Sequence, residues 1–68
     1  MNMIPVSSSD LSAVGYENNT LYIRFNKGKT YAYTGVSENI YKNLLSAPSK
    51  GKYFHAHIRN IYLGRIVG

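Results

Sequence analysis

The sequence predicts an α+β domain, a small antiparallel sheet of three to four strands followed by two α-helices packed on it. Three observations carry that expectation. From Leu11 to Thr34 apolar and polar residues alternate in short runs separated by turn residues, the signature of half-buried strands. After Gly35 the apolar spacing changes to that of a helix. Pro48 then splits the helical part in two, because the residue before a proline is pushed out of helical geometry.

Taken in order, Met3–Val6 is short and apolar and suits an edge strand, and the run SSSD after it is turn-like. Leu11–Glu17 reads as a strand with Leu11, Ala13 and Gly15 on one face and Ser12, Val14 and Tyr16 on the other. Glu17–Asn19 is a hairpin turn, since asparagine accepts left-handed backbone at low cost. Thr20–Phe25 alternates clearly, with Leu21, Ile23 and Phe25 opposed to Tyr22 and Arg24. The loop Asn26–Gly28 has glycine third, as a bulged three-residue hairpin requires. That loop pairs Phe25 with Lys29 and sets Tyr31 opposite Ile23. Tyr31 and Tyr33 then join the core face, while Tyr22, Arg24, Thr30, Ala32 and Thr34 form the outer face. A two-residue turn shifts the register by one and reverses both tyrosines; the bulged loop is the favoured reading.

Ser37 caps the first helix, and Glu38 in its first turn suits the helix dipole. Ile40, Tyr41, Leu44 and Leu45 make its apolar stripe, which ends near Ala47. Ser49 caps the second helix, whose apolar stripe is Phe54, Ile58, Ile61 and Tyr62. The tail Leu63–Gly68 suits either a last short strand or an oligomer contact.

Sixty-eight residues make one domain with a small core. Domains of this size are commonly helped by disulfides, metals or association. The chain has no cysteine, which excludes disulfides and thiolate metal sites, so a homo-oligomer is the expected support. Eight Lys and Arg face three acidic residues, Asp10, Glu17 and Glu38, for a net charge of +5. Such an imbalance concerns partners rather than fold and points to a phosphate-bearing one. No apolar run is long enough to span a membrane. The N-terminal stretch lacks the pattern of a signal peptide, so a cytoplasmic location is expected.

The segment most in need of explanation is Ser49–Tyr62, SKGKYFHAHIRNIY. The first N–H groups of a helix have no intrahelical partner, and with the helix dipole they make an anion site. Ser49 adds a hydroxyl, Gly51 allows close approach to the backbone, and Lys50 and Lys52 add charge. His55 and Arg59 follow Lys52 at helical spacing, forming one polar stripe. Ser49, Lys50, Gly51, Lys52, His55 and Arg59 are therefore candidate phosphate ligands. Tyr53 and Tyr22 are candidate stacking surfaces for a base, with His57 near Tyr53. The competing reading is a capped helix with a solvated face. In that reading Arg59 is structural, tied to Asp10 or Glu17, and Lys27 and Lys29 are only solvated at a hairpin tip. No Walker loop is present. His55 and His57 lie on different helix faces, which speaks against a shared metal. The carboxylates are scattered, and no orienting acid is evident for a Ser49–His55 pair. No catalytic residue, metal site or cofactor is expected.

The sequence as a whole resembles the KTSC domain family, named for a domain at the C-terminus of some lysyl-tRNA synthetases. VSSSDLSAVGYE resembles the family's opening strand, and LYIRFNKGKTYAYTGV its L-x-x-x-F-x-x-G-x-x-Y-x-Y-x-x-V hairpin. SKGKYFHAHIR resembles its S-x-G-x-[YF]-[FL]-N-x-x-I-R helix start. Two positions depart: Ser37 stands where the family often has proline, and His55 where it usually has asparagine. The resemblance implies the fold above and brings no catalytic activity. It implies a nucleic-acid-related setting in the synthetase fusions and a viral one in stand-alone, phage-type members. By analogy, small basic phage proteins include sponges that sequester the cyclic nucleotides of bacterial immune signalling, in the host cytoplasm. The expected function is thus non-enzymatic: a homo-oligomer that binds and sequesters a phosphorylated, cyclic nucleotide. The alternative is a module binding RNA or another single-stranded nucleic acid.

Overall fold

Two asparagines close the first hairpin. Asn18 and Asn19 both hold left-handed backbone, with φ of 53° and 59°, and join β2 (Leu11–Glu17) to β3 (Thr20–Phe25). A two-residue turn of this hand matches the twist of the strands it joins. The second hairpin, β3 to β4 (Thr30–Thr34), uses the bulged loop. Gly28 has φ of 102°, the Phe25 N–H donates to the Lys29 carbonyl at 2.9 Å, and Ile23 faces Tyr31. Tyr33 is accordingly buried in the core.

The structure, a computed structural model, describes residues 2–68. The remaining elements are β1 (Ile4–Pro5), α1 (Glu38–Ser46), α2 (Lys50–His57) and β5 (Gly64–Ile66). The sheet runs β1-β2-β3-β4-β5 with every neighbouring pair antiparallel. The α+β class and the order of sheet then helices hold. Five strands replace three to four because both ends of the chain add short edge strands. β5 pairs with β4, and the backbone of Val67 and Gly68 continues to bond Thr30.

The face assignment in β2 requires correction. The register shifts between Leu11 and Ala13, so Leu11 pairs with Phe25 and Val14 with Ile23. A bulge places two residues opposite one and reverses the alternation beyond it. Leu11 and Val14 therefore both enter the core, while Ala13 and Gly15 fall on the outer face beside Arg24 and Tyr22.

Both helices lie on the inner face. Ser37 accepts from the Ile40 N–H and Ser49 from the Lys52 N–H, each at 3.4 Å, so both expected caps are present. Leu44 of α1 and Phe54 of α2, with Ile58 just beyond α2, pack on Leu11, Val14, Leu21, Ile23, Tyr33 and Val36. The helical stripe proposed beyond Ile58 does not continue. α2 ends at His57, Ile58 leaves helical geometry, and a turn carries Ile61 into solvent at 65% exposure. Tyr62 still packs against the core. Among the described residues no helix is long and apolar enough to cross a membrane.

Candidate functional site

An aromatic cluster docks the tip of the second hairpin beside α2. Phe54, buried on α2, meets Phe25 edge-to-face at 5.4 Å and Tyr33 at 5.5 Å. Phe25 in turn meets Tyr31 edge-to-face at 5.5 Å. The segment before β2 is tied to the same tip. The Asn26 side-chain amide donates to the carbonyls of Ser8 and Ser9, and its backbone N–H donates to that of Asp10. Between hairpin tip, Ser9–Asp10, α2 and β5 lies a groove of about 810 Å³. Its cations are Lys27, Lys29 and Arg59, and its rings are Phe25, Tyr31, Tyr33 and Phe54.

One wall carries a relay of polar groups. His55 Nε2 lies 3.4 Å from Asp10 Oδ2, and His55 Nδ1 lies 3.4 Å from Arg59 Nη1. A guanidinium only donates, so Nδ1 is the acceptor and a neutral His55 carries its proton on Nε2, donated to Asp10. Asp10 thus reaches Arg59 through His55, not directly, and Glu17 sits at the far end of β2. These side chains are about half exposed, so the relay fixes direction more than it adds stability. The Tyr33 hydroxyl is held above its ordinary value by burial, then by the neighbouring Tyr31, and is pulled back by Arg59.

Asp10 also alters the expected anion site at the start of α2. A Cβ built on Gly51 would stand 3.2 Å from Asp10 Oδ2, so Gly51 admits the protein's own carboxylate against the first helical turn. Ser49 is engaged as the cap, and the Lys50 ammonium donates to the Ala47 carbonyl at 3.3 Å.

The eight residues proposed from sequence do not form one site. His55 and Arg59 line the groove. Ser49, Lys52 and Tyr53 line a separate shallow hollow of about 360 Å³, where the Tyr53 and His57 rings face each other at 4.4 Å. Lys50 and Gly51 belong to neither, and Tyr22 lies on the outer face of the sheet. Conversely, Lys27 and Lys29, read as merely solvated, border the groove together with Asp10, Tyr31 and Tyr33. A signal for them existed. The bulged register turns Tyr31 and Tyr33 toward the face that Phe54 covers, which brings the flanking lysines beside α2. Among the described residues no cluster of histidine and carboxylate groups is placed to hold a metal.

Comparison with known proteins agrees with this architecture. The sequence model of the KTSC domain matches residues 7–62. A protein of Tsukamurella paurometabola is 36% identical over 59 residues, covering 84% of this chain and 88% of that one. The crystal structure of a KTSC domain protein from Yersinia pestis superposes with a TM-score of 0.92 at 41% identity, covering 98% of this chain and 97% of the other. The family model covers most of the sequence, including the hairpins and the SKGKYFHAHIR segment around α2, and the chain belongs to the KTSC domain family.

Proposed function

We propose that this protein is a non-enzymatic binder of a small phosphorylated nucleotide, held in the groove between the hairpin tip and α2. One observation carries the reading: Lys27, Lys29 and Arg59 border the same groove as the rings of Phe25, Tyr31 and Tyr33. Cations for phosphate beside aromatic faces for a base are the two features nucleotide recognition needs. The volume of about 810 Å³ falls within the range of small-molecule sites.

The finer form of the proposal is sequestration of a cyclic nucleotide by a homo-oligomer. A cyclic di- or trinucleotide presents more than one phosphate at once, which suits three cations around one groove. Support for association comes from the edge strand. Leu63, Ile66 and Val67 are 85%, 55% and 49% exposed, and Gly64 beside them borders the groove. A second copy docked along β5 would wall the groove on its open side.

The test is a thermal-shift series against cyclic dinucleotides, cyclic trinucleotides, linear nucleotides and a short RNA. A cyclic nucleotide is expected to raise the melting temperature at moderate salt by mass action and to be recovered unchanged after incubation. Recovery of a cleaved ligand would make the protein an enzyme. A wild-type protein stabilised by no small nucleotide would overturn the groove reading.

A further inference from the structure

We propose that the outer face of the sheet is a second binding surface, one that takes single-stranded nucleic acid with a base on Tyr22 and phosphates on Arg24 and Arg65. The surface is separate from the groove, because both helices cover the inner face. The strand registers set Gly15, Tyr22, Ala32 and Arg65 side by side, with Ala13 and Arg24 in the adjoining row. Directly across from Tyr22 on the neighbouring strands stand only Gly15 and Ala32, so no side chain larger than a methyl group faces the ring from either strand. Strand geometry places Arg24 about 7 Å from Tyr22 along β3 and Arg65 about 10 Å away across two strands.

Among the described residues neither arginine has a carboxylate partner. Asp10 faces His55 and Glu38 faces Lys42, while Glu17 stands in the row on the other side of Tyr22 from Arg24. The Arg24 Nε donates to Thr30 Oγ1 at 3.4 Å, which holds the guanidinium over the sheet and leaves its terminal N–H groups for a ligand. Charge selects the occupant. A second copy docked face to face would oppose arginine to arginine in a chain of net charge +5. A duplex keeps its base faces stacked and offers none to Tyr22. A single strand supplies both phosphates and unstacked bases.

The experiment is fluorescence anisotropy with a labelled oligouridine across a salt series. It compares the wild type with Arg24→Gln, Arg65→Gln, Tyr22→Leu and the groove variant Arg59→Gln. Each outer-face arginine variant is expected to weaken binding and to reduce the log K against log salt slope by about 0.7, one phosphate contact. Tyr22→Leu is expected to lose about tenfold with the slope unchanged, and Tyr22→Phe to restore it. Arg59→Gln is expected to bind as the wild type does. Arg65 stands exposed on an edge strand, so its variant keeps the fold even if Arg24→Gln does not. Loss in Arg59→Gln alone would place the RNA in the groove and overturn the proposal. So would no binding at low salt, or a concentration-dependent dimer abolished by the outer-face variants.

Discussion

The inner face of the sheet carries two aromatic clusters, and they have opposite characters. On the β2 side Tyr16 stacks on Tyr41 of α1 at 5.2 Å, and its hydroxyl donates to the Val36 carbonyl at 2.6 Å. That cluster is finished: α1 lies over it and the Tyr16 hydroxyl is satisfied. On the β4 side Phe54 of α2 covers Tyr33 and one edge of Phe25, but Phe25 and Tyr31 stay only partly buried where they border the groove. Lys27, Lys29 and Arg59 stand at their rim. Aromatic rings thus serve as structure where a helix covers them and as a candidate ligand surface where their edges stay open beside cations.

The strongest way to break this comparison is at Phe54, the ring shared by core and groove. Its replacement by alanine is expected to cost about 3–5 kcal/mol in urea unfolding, since a buried ring touching both Phe25 and Tyr33 is lost. A loss below about 1 kcal/mol would mean that the hairpin tip docks without it. Next come the rim cations. Arg59→Ala and Lys29→Ala are each expected to lower affinity for the groove nucleotide by about ten- to a hundredfold, as charge-assisted hydrogen bonds do. Exposed side chains carry little fold stability, so unfolding should shift by no more than about 0.5 kcal/mol. Unfolding of Arg59→Ala would instead show that its contact with His55 is structural.

The division between the clusters explains what the sequence made legible. Local rules sufficed for Asn18–Asn19, for the bulged loop at Gly28 and for the caps Ser37 and Ser49, because each depends on neighbours within a few residues. The bulge at Ser12 was not legible. The chain LSAVGYE alternates plausibly in either phase, and only pairing with the regular β3 settles which residues face the core. The groove failed for the same reason at longer range. Helical spacing grouped Lys52 with His55 and Arg59, yet Lys52 turns to the other side of α2. The acid that meets His55, Asp10, lies 45 residues earlier in the chain. Nothing in local spacing signals that contact.

A smaller effect separates the clusters by their hydroxyls. Tyr16→Phe leaves the Val36 carbonyl without its side-chain donor and is expected to cost about 0.5–1.5 kcal/mol. Tyr31→Phe removes a hydroxyl at the open groove and should cost less than half of that. Equal losses in parallel denaturation curves would erase the distinction between covered and open rings.

The smallest and most specific effect is on phenol ionisation. Burial raises both Tyr33 and Tyr41 above their ordinary value of 10.0, but only Tyr33 has Arg59 opposing the rise. The folded protein therefore keeps both phenols protonated at pH values where the unfolded chain has begun to lose those protons. The native state then binds more protons than the unfolded one, so stability falls as pH climbs above about 10 and is unaffected below it. Arg59→Ala removes the opposing charge and is expected to move the Tyr33 titration, followed by the phenolate ultraviolet band in a Tyr41→Phe background, to still higher pH. In a Tyr33→Phe background the same substitution should leave Tyr41 unmoved, because no charge but only burial acts on it. A shift of both tyrosines would mean that Arg59 supports the whole inner face, and the two clusters would then be one.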